Sequence, residues 1–158
     1  MTTPTDPRSP KVLLIVEDQL LIAQCLKDEF EDHGYRVLEL ATRHQEALTI
    51  ARATRPDLAL VNIDLEGDDD GAALAWDFKA MGVPVLFISG QRDVVELARE
   101  AAIASRPKPY TPTEMREAVD YLFRHETGNP SLPCPDHLSV FRSMPTDDGV
   151  KPPLPNAA

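Results

Sequence analysis

The chain has 158 residues, 42% hydrophobic and 27% charged, which is the composition of one folded domain with or without tails and excludes disorder throughout. Sixteen basic against twenty-six acidic residues leave a net charge of −10 with no basic patch, so no nucleic-acid partner is expected. The apolar runs are far shorter than the roughly 20 residues of a membrane span. The opening MTTPTDPRSP lacks the basic start and apolar stretch of a signal peptide, and Cys25 and Cys134 are too few for a disulfide scaffold. A soluble, cytoplasmic chain without membrane contact is expected.

Proline divides the sequence. Of fifteen prolines, three lie in residues 1–10 and seven in 126–158, with five in the 115 residues between. This predicts a flexible N-terminal segment (1–10), a folded domain (11–125) and a proline-rich C-terminal tail (126–158). The middle carries 13 basic and 21 acidic residues, hence −8 of the charge.

Within the middle, Val12 to Val16 is a continuous apolar run of strand length. From Gln19 to His33 apolar residues recur at 22, 26 and 30, and Gly34 closes a first helix. Tyr35 to Leu40 is a second strand. Thr42 with Gln45 reads as a capping box opening a helix to about Arg55. Leu58 to Ile63 is a third strand, and Ala72 to Met81 a third helix ended by Gly82. Val83 to Ile88 is a fourth strand, Gln91 to Ala102 a fourth helix and Ile103 to Pro107 a poor fifth strand. Thr111-Pro112-Thr113-Glu114 is a capping box with proline at the first helical position, starting a fifth helix to about Arg124.

Strands alternating with helices form a (βα)₅ pattern, an α/β doubly wound parallel sheet with right-handed crossovers. Strands 1, 3 and 4 are apolar throughout and belong in the centre. The fifth contains Pro107, which cannot donate to a ladder, and belongs at an edge. The flavodoxin-like order 2-1-3-4-5, with five strands, satisfies both.

Ligands in such sheets bind beyond the carboxyl ends of the strands. Strand 1 is followed by Glu17 and Asp18, strand 3 by Asp64, strand 4 by Ser89-Gly90 and strand 5 by Lys108-Pro109. Strands 1 and 3 are neighbours, so three carboxylates are expected to converge on one crevice. Such a cluster repels itself unless a cation joins it, and an oxygen-rich acidic set suits Mg²⁺. Taken singly, Asp64 could cap a loop, Glu17 or Asp18 could be the N-cap of the first helix, and Ser89-Gly90 could be an ordinary turn. Asp68-Asp69-Asp70 reads as a solvated loop, Trp76 and Phe78 as packing residues, and Cys25 as inert core on an apolar helix.

The stretches VLLIVED (12–18), LALVNID (58–64), VPVLFISG (83–90) and Lys108-Pro109-Tyr110 together resemble the receiver domain of bacterial two-component response regulators, over about residues 11–125. The resemblance implies a phosphoprotein in which Asp64 accepts a phosphoryl group from a sensor histidine kinase, with Mg²⁺ as cofactor. It implies Asp18 as a direct metal ligand, Glu17 as one acting through water, Asp64 as a further ligand, and the backbone carbonyl of Glu66 as the third protein ligand. Ser89 and Lys108 then hold the phosphoryl oxygens. The chain departs from the family at Ser105, three residues before the lysine, where most receivers carry Tyr or Phe. The ending Ser-Arg-Pro-Lys-Pro is similar to that of stand-alone, single-domain receivers.

Thirty-four residues follow Arg124, too few and too proline-rich for a typical helix-turn-helix output domain. Output is therefore expected through protein–protein contact, including a homodimer through the face of helix 4, strand 5 and helix 5. The apolar island Leu138 to Met144 reads either as disordered or as an arm docking on a neighbouring subunit or partner. Two alternatives stand beside the receiver: a phosphohydrolase with Asp64 as nucleophile and Glu66 as acid, and a scaffold pseudo-receiver that is never phosphorylated.

Overall fold

The computed structural model of the protein describes residues 10–65, 71–90, 95, 96, 98–126, 133–142 and 144. In chain order these form β1 (Val12–Val16), α1 (Leu20–Asp32), β2 (Arg36–Val37), α2 (His44–Ala53), β3 (Leu58–Asn62), α3 (Gly71–Ala80), β4 (Val85–Ser89), a 3₁₀ turn (Arg99–Ala101), β5 (Ala104–Pro107), α4 (Pro112–Glu126) and β6 (Ser139–Val140). Here α4 is the expected fifth helix. Of the expected fourth helix, Val95 and Glu96 are helical, and residues 91–94 and 97 lie outside the described residues.

The sheet order is β2-β1-β3-β4-β5-β6. The first five strands pair in parallel in the expected order 2-1-3-4-5. The fold is therefore the flavodoxin-like α/β arrangement, with one change. The expectation of five strands with β5 at the edge is corrected by β6, which pairs antiparallel with β5 through Ala104 opposite Val140 and Ser105 opposite Ser139. A strand edge presents unpaired N–H and C=O groups that another strand can satisfy. The pairing stops short of Pro107, which has no N–H to offer.

Strand side chains alternate between two apolar layers. Leu14, Val16, Ala59, Val61, Val85 and Phe87 face Leu48 of α2 and Leu74 and Phe78 of α3. Leu13, Ile15, Leu58, Leu60, Leu86 and Ile88 face Leu26 and Phe30 of α1 and Val119 and Leu122 of α4. Every residue of β3 and β4 is buried, which is why these strands read as unbroken apolar runs.

The helix ends follow local chemistry. Gly34 has φ +93°, the left-handed backbone that ends α1, and the Tyr35 N–H returns to the Phe30 carbonyl at 3.1 Å. At α4 the expected capping box is present in both directions: the Glu114 N–H donates to Thr111 Oγ1 at 3.0 Å and the Thr111 N–H to Glu114 Oε1 at 2.9 Å. At α2 the expected Thr42–Gln45 box is replaced by Thr42 with Glu46. Arg43 takes the N-cap position, so the residue three along is Glu46, whose carboxylate accepts the Thr42 N–H at 2.7 Å. Two packing expectations also change. Cys25 is exposed, and so is Trp76, with the Lys79 ammonium 5.2 Å from its ring centroid. Phe78 is fully buried, as expected.

Candidate functional site

Parallel strands bring their carboxyl ends to one rim. The registers Val16 with Val61, Asn62 with Ile88 and Ser89 with Pro107 set the residues after β1, β3, β4 and β5 side by side. Glu17, Asp18, Asn62, Asp64, Ser89 and Lys108 meet there.

At the centre is Asn62, the last residue of β3 and 1% exposed. Its amide nitrogen donates to Glu17 Oε2 at 3.1 Å and approaches Asp18 Oδ1 at 3.4 Å. Its carbonyl oxygen accepts from the Asp64 N–H at 2.9 Å and from Lys108 Nζ at 3.3 Å. One amide thus satisfies acidic neighbours with its donor end and the lysine with its acceptor end.

Asp64 lies two residues beyond the strand end. Its Oδ2 accepts the Gly90 N–H at 3.2 Å and stands 3.9 Å from Lys108 Nζ. The expected convergence of Glu17, Asp18 and Asp64 on one another is therefore corrected. Glu17 and Asp18 meet the Asn62 amide, Asp64 meets the Gly90 N–H and Lys108, and among the described residues the three carboxylates do not form one group that could hold a metal. The physical reason is the strand boundary. β3 ends at Asn62 rather than Ile63, so the side chain aimed into the crevice is the amide. Asn62 carries no carboxylate to mark it as a site residue in the sequence; its one signal is that it is a polar residue closing the apolar run LALV.

Glu17 is 1% exposed. Burial, followed by the hydrogen-bonded Asp18 carboxyl, raises its pKa, against the opposing pull of the Gln19 N–H, Asn62 and Lys108. Its Oε2 accepts the Gln19 N–H at 3.1 Å, while Oε1 has no hydrogen-bond partner. Gln19, rather than Glu17 or Asp18, is the N-cap residue of α1. The neighbouring Tyr110 hydroxyl is also buried and unpaired, and burial together with the Glu17 charge pushes its pKa up to about 12. Ser89 is 3% exposed at the end of β4, and its carbonyl accepts the Lys108 N–H at 2.9 Å. The Lys108–Pro109 peptide is cis. Glu66 and the run Asp68–Asp70 lie outside the described residues.

The residues present fit a hard divalent cation. A buried carboxylate oxygen without a partner, next to a second carboxyl group, is an incomplete oxygen set. Mg²⁺ needs few protein ligands and brings its own waters. Among the described residues no group of three or more His, Cys, Asp or Glu side chains is placed to hold a metal.

The sequence and fold of the chain are similar to those of known proteins. The response regulator receiver domain family model matches residues 13–120. The transcriptional regulatory protein PdtaR of Mycobacterium tuberculosis is 32% identical over 122 residues, covering 75% of this chain and 60% of PdtaR. The virulence transcriptional regulatory protein PhoP of Salmonella typhimurium is 31% identical over 121 residues, covering 73% of this chain and 53% of PhoP. The chain thus spans about half to three fifths of the length of these relatives. Among solved structures, a CheY-like receiver domain protein of Methanospirillum hungatei aligns with TM-score 0.67 and 28% identity, covering 74% of this chain and 96% of that one. The response regulator TrrA of Thermotoga maritima, solved in complex with Mg²⁺ and BeF, aligns with TM-score 0.61 and 25% identity, covering 70% of this chain and 96% of that one. With the strand order, the crevice and a family match over residues 13–120, this chain belongs to the response regulator receiver domain family of two-component signalling.

Proposed function

We propose that this receiver domain passes on a two-component signal by protein–protein contact, with its crevice set by the Asn62 amide rather than by a phosphoryl group at the end of β3. The observation that carries this reading is the position of Asn62 among Glu17, Asp18 and Lys108. A carboxylate at that point has an anionic oxygen to attack phosphorus, whereas an amide oxygen is a poor nucleophile. The amide also takes up the Lys108 ammonium, which a phosphoryl oxygen needs. A sensor histidine kinase remains the expected partner, engaged by contact. Glu17 and Asp18 would hold Mg²⁺, with the backbone carbonyl of Glu66 as the third ligand. When bound, the ion supplies positive charge that offsets the buried Glu17 and the half-buried Asp18.

A second reading keeps Asp64 as the phosphoacceptor, with Ser89 and Lys108 holding the phosphoryl oxygens. Its support is the 3.9 Å separation of Asp64 from Lys108 and the Gly90 N–H aimed at the same carboxylate. One experiment separates the two. The parent, Asn62→Asp and Asp64→Asn are each incubated with Mg²⁺ and a small acyl-phosphate donor, and the intact masses and peptide maps are recorded. An unlabelled parent and an Asn62→Asp variant labelled at residue 62 support the amide reading. A parent labelled at residue 64, with the label lost in Asp64→Asn, replaces it with the second. An unlabelled Asn62→Asp removes residue 62 from the acceptor position.

A further inference from the structure

The described part of the tail lies along the sheet edge. Beyond its ladder with β5, the Phe141 N–H donates to the Ile103 carbonyl at 2.7 Å and the Arg142 N–H to the same oxygen at 3.2 Å. The Arg142 guanidinium gathers carbonyls of the 3₁₀ turn, those of Ala102, Glu100 (3.2 Å) and Arg99 (3.4 Å), and stands 3.6 Å from the Glu100 carboxylate. A guanidinium offers several donors in one plane and so adds to carbonyls that already accept elsewhere, that of Arg99 from the Ala102 N–H and that of Glu100 from the Lys79 ammonium. The Arg99 guanidinium lies over the Phe141 ring, 4.5 Å from its centroid. Leu138 and Met144 are 8% and 5% exposed and join the apolar layer of α1 and α4, while Phe141 packs against the opposite layer. The segment therefore grips both layers of the sheet at its β5 edge.

We propose that residues 134–142, with Met144, form an intramolecular strap that closes the β5 edge against a second copy of this chain. The edge pairs with a strand of this sequence, because β6 is such a strand. Without β6, the edge offers its free N–H and C=O row to any equivalent edge, and two β5 edges related by a twofold axis are self-complementary. A groove of about 1010 Å³ runs from Ser89 and Lys108 of the crevice past Ser105 to His137, Ser139 and Phe141 of the strap, so one space touches both. Ser105 leaves room there that a large aromatic side chain would fill. The expected arm on a neighbouring subunit is thus held by its own domain. Deleting its grip frees a contact between copies rather than removing one. This inference does not depend on which residue of the crevice takes a phosphoryl group.

The test uses the full chain with Arg142→Ala, which removes only the clamp, and Phe141→Pro, which removes the N–H that donates to the Ile103 carbonyl in the β6 ladder. Hydrogen exchange at the Phe141 and Arg142 amides and sedimentation over a range of concentrations are the readouts, with circular dichroism to check that the domain is folded. Exchange at Phe141 rising roughly tenfold in Arg142→Ala, a factor equivalent to about 1.4 kcal/mol, together with concentration-dependent dimers in both variants and a monomeric parent, supports the strap. A dimeric parent made monomeric by either variant shows an arm between copies and overturns it. Folded variants that exchange faster yet stay monomeric at every concentration also overturn it, because the opened edge then has no second copy to exclude.

Discussion

Lys108 Nζ lies 3.3 Å from Asn62 Oδ1 and 3.9 Å from Asp64 Oδ2, so a single ammonium spans the amide that ends β3 and the carboxylate two residues further on. The nearer partner is the neutral one. The lysine is held in place without being neutralised at short range, and the acidic side of the crevice meets a donor, the Asn62 Nδ2, instead of a third negative charge.

Replacing Asn62 by Asp reverses that balance. The variant loses the donor to Glu17 and sets three carboxyl groups against each other. Unfolding in the absence of divalent ions is expected to need about 1–3 kcal/mol less than in the parent, the range for stranding a buried polar group. Added Mg²⁺ binds the folded state and returns stability in proportion to its affinity. The expected gain with Mg²⁺ is larger in Asn62→Asp than in the parent. Thermal unfolding with and without Mg²⁺ measures it, and equal gains would contradict the crevice geometry described here.

The same residues explain how far the sequence could be read. The βα alternation was legible because β1, β3 and β4 are buried on both faces and leave unbroken apolar runs. The α4 cap was legible because Thr111 and Glu114 carry their partnership in their spacing. Asn62 was not, since a one-residue difference in where β3 ends decides which side chain enters the crevice. β6 was not, because a two-residue strand has no periodicity, and its partner Ala104 lies far back in the chain. Cys25 could have been placed from the pattern. The buried stripe of α1 runs through Ala23, Leu26 and Phe30, and residue 25 lies off it.

Glu17 makes stability depend on pH in a stated direction. Its folded-state pKa lies above the ordinary 4.5, so the folded protein holds this proton more tightly than the unfolded chain. The stabilising effect is complete below about pH 4.5 and is lost as pH rises through the folded-state value. Glu17→Gln has no proton to lose. Without divalent ions it is expected to gain stability relative to the parent as pH rises from 4 to 7.5, in urea unfolding at fixed ionic strength. A parent-minus-variant difference that stays constant across this range would show that the carboxyl does not titrate with folding.

Thr111 ties the crevice to α4, because the residues before it are Lys108, Pro109 and Tyr110. Thr111→Ala removes the Oγ1 that accepts the Glu114 N–H and half of the reciprocal cap. The expected cost is about 1 kcal/mol, the usual value for losing such a cap. Thr111→Ser, which keeps an oxygen at the same place, is expected to recover most of it. Denaturant unfolding of the three proteins decides this, and a serine variant as weak as the alanine one would remove the hydrogen bond as the cause.

Gly71, the first residue of α3, faces the β3 end so closely that a side chain has no room. A Cβ there would lie 2.5 Å from the Asn62 carbonyl oxygen and 2.6 Å from Ile63 Cα. Both are backbone atoms, so neither can swing aside as a side-chain tip would. Gly71→Ala must move the start of α3 or the end of β3, at an expected cost of about 1–3 kcal/mol, the range for overpacking a tight contact. It would also displace the backbone that aims Asn62 at Glu17 and Lys108. The signature is therefore double: lower stability, and shifted amide resonances at residues 62–64 and at Lys108. Gly34→Ala is the control. It meets no atom within 4 Å but carries φ +93°, so it strains backbone far from the crevice. Gly34→Ala should lose stability without moving those resonances. If Gly71→Ala leaves them in place as well, the close approach of α3 to β3 does not position the amide.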